Sequence, residues 1–168
     1  MKYELTGETK EFFGVTLYRI RYLKSFANVS AGDLGGWLQS TANLSQEGNA
    51  RVLGNAQVSG NARVSGNAQV WDDARVWDDA RVSGKARVSG DNNILVVGPI
   101  GSRSAYLTVT TDAKLGKCFS TGCFSGSAWQ LREAVHDTHG ADSLYAKQYQ
   151  AALVMAEIVT EYEGKSNE

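Results

Sequence analysis

The segment Gly98–Ser104 contains the residue types that most directly suggest ligand binding. It reads Gly-Pro-Ile-Gly-Ser-Arg-Ser, so Ser102, Arg103 and Ser104 follow the second of two glycines. Glycines let backbone N–H groups approach a ligand closely, hydroxyl groups donate and accept hydrogen bonds, and a guanidinium binds a phosphate or carboxylate through two parallel bonds. These residues predict a loop that binds an anion.

A second segment, Thr121–Ser127, reads Thr-Gly-Cys-Phe-Ser-Gly-Ser and leads into a predicted helix. Ser127 and Gln130 have the spacing of a capping box, and the N-terminus of a helix attracts anions. Together the two segments predict an anion pocket; the alternative is a turn between strands and an ordinary helix cap. The residues predicted to line the pocket are Ser102, Arg103, Ser104, Cys123, Ser125, Ser127 and His139, with Lys117 as a further neighbour.

Cysteine and histidine chemistry has weaker support. Cys123 forms a candidate nucleophile pair with His136 or His139, but no third residue to orient the histidine is evident. Cys118 and Cys123 lack a second pair of ligands at zinc spacing, so we expect no metal site. We assign no catalytic residue and no cofactor. A binding protein is favoured over an enzyme, and the enzyme alternative stays open.

Composition excludes several classes of partner. The chain has 168 residues and a formal net charge of −1, which gives no electrostatic basis for binding a nucleic acid polymer. The longest uncharged apolar runs, Ile94–Ile100 and Ala151–Ala156, are too short to cross a membrane. Residues Met1–Glu4 lack the layout of a secretory signal, and two cysteines do not indicate a disulfide framework. We therefore expect a cytoplasmic protein.

The elements that must position these residues begin with a six-residue repeat. Seven hexads follow each other without an insertion over residues 49–90, each resembling Asn-Ala-Arg-Val-Ser-Gly. A period of six does not fit one face of an α-helix, whereas an inward alanine and valine two positions apart fit a short strand. The alanines are Ala50, Ala56, Ala62, Ala68, Ala74, Ala80 and Ala86; the valines are Val52, Val58, Val64, Val70, Val76, Val82 and Val88.

Each hexad therefore predicts a short strand and a corner, in which Gly or Asp followed by Asn supplies the tight turn. Three hexads make one coil of a prism, so residues 18 apart lie above each other on one face. This arithmetic aligns Arg51 with Gln69 and Arg87, and Arg63 with Arg81. We expect these arginines to form a solvated face.

The pattern Val-Ser-Gly-Asn-Ala-Arg resembles the aliphatic-x-x-x-small-x repeat of hexapeptide-repeat proteins, which fold as left-handed parallel β-helices. The resemblance implies a left-handed coil and a homotrimer. Acyltransferases of this family usually take a histidine from the prism, often beside an inserted loop. Residues 49–90 contain neither feature, which argues against acyl transfer.

Trp71 and Trp77 lie six positions apart, on neighbouring faces or edges, and each is followed by two aspartates. Exposed tryptophans need a partner surface. The favoured interpretation is a subunit interface or a contact with the terminal domain; the alternative is that they stack on a ring of a ligand.

The flanks predict a mainly β protein in three parts: an N-terminal β cap with degenerate first coils (1–48), the β-helix (49–91) and a small α+β module (92–168). The cap is predicted as a hairpin or a small sheet with a turn around Gly14. The module is predicted to have strands at Ile94–Val97, Ala105–Thr111 and Lys117–Phe124, followed by two helices. The second helix is predicted to start at Asp142 and to carry on one face Tyr145, Tyr149, Ala152, Met155 and Val159.

The entry segment Ala31–Leu38 and the terminal module also resemble phage and prophage hexapeptide-repeat proteins. The first hypothesis is therefore a non-enzymatic phage protein that binds a small anionic, nucleotide-like ligand and sequesters a signal of host immunity. The second is a structural or adaptor protein that binds another protein, such as a host protein, through Trp71, Trp77 and the terminal helices. The third is an enzyme that uses Cys123 or His139 on a nucleotide or acyl substrate.

Overall fold

The computed structural model describes residues 1–89, 94–112 and 116–161. Over these residues the chain is mainly β, with short parallel strands followed by two C-terminal helices, α1 (Ala128–His139) and α2 (Leu144–Glu161). No helix in this part of the chain is long and apolar enough to span a membrane. The strands are β1 (Tyr3–Phe12), β2 (Val15–Tyr22), β3 (Leu34–Leu38), β4 (Arg51–Val52), β5 (Gln57–Val58), β6 (Arg63–Val64), β7 (Gln69–Trp71), β8 (Arg75–Val76), β9 (Arg81–Val82), β10 (Ala86–Ser89), β11 (Ile94–Ile100), β12 (Ala105–Asp112), β13 (Gly116–Thr121) and β14 (Phe124–Gly126).

The hexads form a β-solenoid with three series of parallel strands. The first face contains β4, β7 and β10, the second contains β3, β5 and β8, and the third contains β6 and β9. Val52 pairs with Val70 and Val70 with Val88 on the first face, and Val64 pairs with Val82 on the third. The predicted 18-residue spacing is therefore confirmed. The left-handed sense of the coil stays a prediction.

The solenoid core is a stack of small aliphatic side chains. Every hexad alanine from Ala50 to Ala86 is fully buried, and no hexad valine from Val52 to Val88 is more than 1% exposed. Backbone hydrogen bonds join each coil to the next, as from Arg63 N–H to the Ala80 carbonyl at 2.9 Å. Each hexad thus buries two side chains and pairs its backbone, which explains why so short a unit can repeat without a larger core.

The corners use the left-handed backbone region, as the sequence predicts. Gly54, Gly60 and Gly66 have φ between 63° and 67°, and Asp72 and Asp78 take the same position with φ of 55° and 52°. Aspartate is among the few non-glycine residues that adopt this conformation at modest cost. Asparagine and aspartate side chains at corresponding corners of successive coils are hydrogen-bonded, as Asn55 Nδ2 donates to Asp73 Oδ1 at 3.2 Å.

The N-terminal hairpin extends the second face. β1 and β2 pair in antiparallel fashion around Gly14, β2 pairs with β3, and β3 continues in parallel into β5. Trp37 of β3 pairs with Gln57, 20 residues further on. The predicted hairpin is therefore confirmed, whereas the degenerate first coils stay a prediction.

Side chains close the first and third faces at the N-terminal end of the solenoid, which is called its upper end. The Lys2 ammonium donates to the Ala50 carbonyl at 2.8 Å, next to β4. Asn43, which is 1% exposed, donates through Nδ2 to the carbonyls of Gly60 and Ala62 at 3.0 and 2.9 Å, above β6. These bonds satisfy backbone groups beside β4 and β6 that another coil would otherwise pair.

The C-terminal sheet grows from the first face. β12 pairs with β10, β11 and β13, and β13 pairs with β14. Leu107 and Phe119 on one side of this sheet pack against Leu131 of α1 and Leu153 of α2. The predicted boundary at 91/92 falls on residues 90–93, outside the described residues, as does the tail beyond 161. The division into three domains stays a prediction.

Two expectations about the module are wrong. The strand expected over Lys117–Phe124 is interrupted at Gly122, whose φ is 55°, so β13 and β14 form a hairpin. The second helix starts at Leu144 rather than Asp142, and its buried face includes Tyr149 and Ala152 of the predicted set but is rotated relative to that set. Tyr145, Met155 and Val159 are 37%, 47% and 40% exposed because the side that meets the sheet and α1 is formed by Tyr149, Ala152, Leu153 and Ala156.

Candidate functional site

Two arginines lie one above the other on the third face of the solenoid. Arg63 of β6 pairs directly with Arg81 of β9, and both side chains are exposed. Neighbouring strands lie about 4.8 Å apart, so the two guanidinium groups leave the backbone at nearly that spacing. Of the ion pairs formed within the described residues, none includes either arginine.

The arginine pair lies between two adjoining depressions, which we call the third-face groove. One depression, of about 390 Å³, borders Ser45, Ser65 and Ser83 and is called the serine side. The other, of about 400 Å³, borders Asn61 and Asp79 and is called the aspartate side. Arg63 and Arg81 line both depressions, so the groove has its positive charge at its centre.

The groove is bounded at both ends of the stack. At the upper end, the 3-10 turn Thr41–Asn43 lies over β6, and Asn43 is held in place by its two bonds to backbone carbonyls. At the lower end, Thr108 of β12 accepts a hydrogen bond from Arg81 N–H at 3.0 Å, and Ser120 and Gly122 border the serine side. The enclosure thus depends on the C-terminal sheet, which crosses the end of the third face.

The sequence-predicted loop Ser102–Ser104 is an exposed turn between β11 and β12. Gly101 N–H donates to Gln148 Oε1 of α2 at 2.8 Å, and the Tyr149 hydroxyl lies so close that a Cβ on Gly101 would be 2.7 Å from it. This loop therefore packs against α2, on the helix side of the sheet. Arg103 is exposed there.

The predicted residues of the second segment divide between the two sides of the sheet. Ser125 Oγ lies 3.2 Å from Ser120 Oγ and 3.3 Å from Cys118 Sγ, and it faces the corner at Gly84 on the third face. Cys123 is an exposed free thiol in the intervening turn. The structure thus brings Ser125 towards the third-face groove, whereas the Arg103 loop packs against α2.

Ser127 and His139 lie at opposite ends of α1. Ser127 is the N-cap, and the predicted capping box with Gln130 is confirmed by bonds of 3.3 and 2.9 Å. α1 has 12 residues, so about 18 Å of helix separates Ser127 from His139. The His139 ring instead packs beside Tyr145, with ring centroids 5.1 Å apart. These two residues do not share one pocket, and the binding role of each stays a prediction.

The two repeat tryptophans are placed on different faces, as predicted. Trp71 ends β7, and the Arg87 guanidinium lies 5.2 Å from its ring centroid. Trp77, which follows β8, is 45% exposed and stacks with Phe12 of the N-terminal hairpin at 6.4 Å and 23°. The hairpin therefore covers part of Trp77, and the roles of both rings in an interface or in ligand stacking stay predictions.

Metal-binding side chains are not grouped in the described part of the chain, where no three His, Cys, Asp or Glu residues come together. The nucleophile pair also lacks support from geometry, because Cys123 lies in the β13–β14 turn, before the start of α1, and His136 and His139 lie in the last turn of that helix.

Sequence reasoning did not single out Arg63 and Arg81. The 18-residue spacing correctly aligned them, but every hexad has an Arg or Gln at that position, and nothing local distinguishes these two. Their neighbours Thr108 and Ser120 come from a distant segment and convert part of a solvated face into a groove.

Comparison with known families gives one match. Residues 56–72 match the model of the YdcK beta-solenoid repeat, which supports the solenoid architecture over this short stretch. A search of curated protein sequences finds no match to the chain.

Proposed function

We propose that this protein is a non-enzymatic, oligomeric binding protein that holds a small anionic ligand in the third-face groove. The observation that supports the proposal best is the stacked pair of Arg63 and Arg81, open to solvent and bounded above and below. A binding role needs only recognition, which the groove's arginine and serine side chains can supply.

The two arginines favour an anion for a simple electrostatic reason. Like charges on directly opposed strand positions repel each other, and a bound phosphate or carboxylate removes that repulsion. A guanidinium presents its donors in a planar fork that matches an oxyanion, and such charge-assisted bonds are stronger than neutral ones. Serine hydroxyls on one side of the pair can donate to the remaining oxygens.

Association of several copies is supported by the outer surface of α2. Val154, Met155, Ile158 and Val159 are all 40% exposed or more, and a depression of about 600 Å³ lies between α1 and α2. Apolar patches of this kind usually mark protein contacts. The proposed assembly is a homotrimer, which the resemblance to hexapeptide-repeat proteins suggests.

The more specific form of the proposal is that the ligand is nucleotide-like and that the protein acts as a phage accessory protein, sequestering a signal of host immunity. It rests on the resemblance of the entry segment and terminal module to phage hexapeptide-repeat proteins. A second candidate, an adaptor that binds another protein, is favoured by the same apolar face of α2 and by Trp129, which is 68% exposed.

The test is calorimetric titration of the full chain with inorganic phosphate, pyrophosphate and a panel of cyclic and ADP-ribose-type nucleotides. We expect binding by at least one anion, weakened about tenfold by Arg81→Gln and by Arg63→Gln, as the loss of one charge-assisted bond predicts. Arg103→Gln is the matched control and should leave the Kd unchanged.

Two outcomes would overturn the proposal. If no anion binds the folded wild type, the groove is not a binding site for small anions. If Arg103→Gln abolishes binding while Arg63→Gln and Arg81→Gln do not, the ligand binds at the loop after β11 instead.

A further inference from the structure

The third-face groove differs in chemistry from one side of the arginine pair to the other. On the serine side, Ser45, Ser65 and Ser83 form a row of half-buried hydroxyl groups along the stack, continued by Ser120. Hydroxyl groups both donate and accept hydrogen bonds. This side can therefore bind the oxygens of an anion that is held by the guanidinium groups.

The aspartate side has the opposite preference. Asp79 is half-buried, and one of its carboxylate oxygens accepts from Asn61 Nδ2 at 3.1 Å. An ionised carboxylate accepts hydrogen bonds only, so it favours donors such as sugar hydroxyls and repels a second anionic group. The groove thus suits a ligand whose charge is at one end and whose hydroxyl groups are at the other.

Aromatic side chains are not among the residues described as lining either side of the groove. Proteins that recognise exposed nucleobases commonly stack them on aromatic rings, which provide affinity for any base with a free face. Trp71 ends β7 and Trp77 follows β8, and neither is among the residues that line the groove. A base attached to the ligand would have no stacking partner in the groove.

We propose that the third-face groove recognises a sugar phosphate, with the phosphate on Arg63 and Arg81 and a sugar hydroxyl on Asp79, and that it does not discriminate between bases. This inference rests on the proposed function, because it assigns a ligand class to the same site. It predicts that nucleoside monophosphates bind through their ribose phosphate, with the base directed away from the protein.

The experiment compares the Kd of the full chain for inorganic phosphate, ribose 5-phosphate, AMP, GMP and CMP by calorimetry. We expect the four ribose phosphates to bind within about threefold of each other and more tightly than phosphate. Asp79→Asn should weaken the binding of ribose 5-phosphate about tenfold, as the loss of a hydrogen bond to a charged group predicts. The same variant should not weaken the binding of inorganic phosphate, because the carboxylate that it removes repels anions.

Asp73→Asn is the matched control, because Asp73 pairs with Asn55 at 3.2 Å at the equivalent corner, away from the groove. This variant should leave every Kd unchanged. The inference would be overturned, while anion binding stayed intact, if the Kd values of AMP, GMP and CMP differed by more than about tenfold. It would also be overturned if the Asp79→Asn variant bound ribose 5-phosphate as tightly as the wild type. If the wild type binds none of the five anions, the proposed function and this inference both fail.

Discussion

The hydroxyl group of Tyr22 binds both backbone groups of Val52. It accepts from Val52 N–H at 2.9 Å and donates to the Val52 carbonyl at 3.0 Å. Val52 lies in β4, the first strand of the first face, where the solenoid has no preceding coil to pair with it. One side chain thus replaces the two hydrogen bonds that another strand would make.

Removing this hydroxyl should destabilise the fold. In Tyr22→Phe, the N–H and carbonyl of fully buried Val52 lose their partner, and each unsatisfied group costs about 1–3 kcal/mol. We expect the free energy of unfolding in urea to fall by about 2–4 kcal/mol. Tyr18→Phe, which alters a half-buried tyrosine on the same strand, is the control and should change it by less than about 0.5 kcal/mol.

The buried ammonium group of Lys2 should make the free energy of unfolding depend on pH. Burial lowers the pKa of its ammonium from 10.5 to about 8, so the unfolded chain binds more protons between these two values. Stability should therefore rise as the pH increases through this window. The measurement is urea unfolding from pH 8 to about 9.5, below the ordinary pKa of tyrosine. Lys2→Met should reduce the slope; an unchanged slope would show that Lys2 is not its source.

Two corner glycines form a matched pair for testing close packing between coils. Gly48 and Gly84 have nearly equal φ, 66° and 65°. A Cβ on Gly48 would lie 2.7 Å from the Gly66 carbonyl oxygen, whereas one on Gly84 would meet only Ser125 Oγ at 3.5 Å. We expect Gly84→Ala to cost about 1 kcal/mol and Gly48→Ala roughly twice that, measured by chemical denaturation. Equal losses of stability in the two variants would mean that the positive φ alone, and not the contact with the next coil, determines the cost.

A charge placed on the exposed apolar face of α2 should disrupt association of the chains. Ile158 is 64% exposed, so Ile158→Glu should not disturb the fold but should place a charge in any contact made by this face. We expect native mass spectrometry to detect the oligomer for the wild type and mainly the single chain for Ile158→Glu. Thr138→Glu adds the same charge to an exposed site on α1 and should retain the oligomer. If both variants assemble normally, another surface forms the contact.

The solenoid could be predicted to the residue because its signal repeats. Each hexad has the same inward alanine and valine, so an error at one unit would have broken the register of the next. The pairing of Val64 with Val82 follows from this arithmetic alone.

The groove could not be predicted in the same way. The closure of the third face depends on Thr108 reaching Arg81 N–H across 27 positions of sequence, and nothing in the repeat encodes that contact. The rotated face of α2 has a similar cause. Apolar residues occur on several sides of this helix, so the pattern alone did not distinguish Leu153, which packs in the core, from exposed Met155.

Because the hexads keep a uniform register, the number of coils alone determines the length of the solenoid. The closing bonds at its upper edges, from Tyr22, Lys2 and Asn43, are made to backbone groups that every coil presents. Duplication of three hexads would therefore insert one more coil without altering either end. The third face would lengthen by one strand spacing of about 4.8 Å and would gain one Arg or Gln. The length of ligand that this face accommodates would therefore change in steps of one coil.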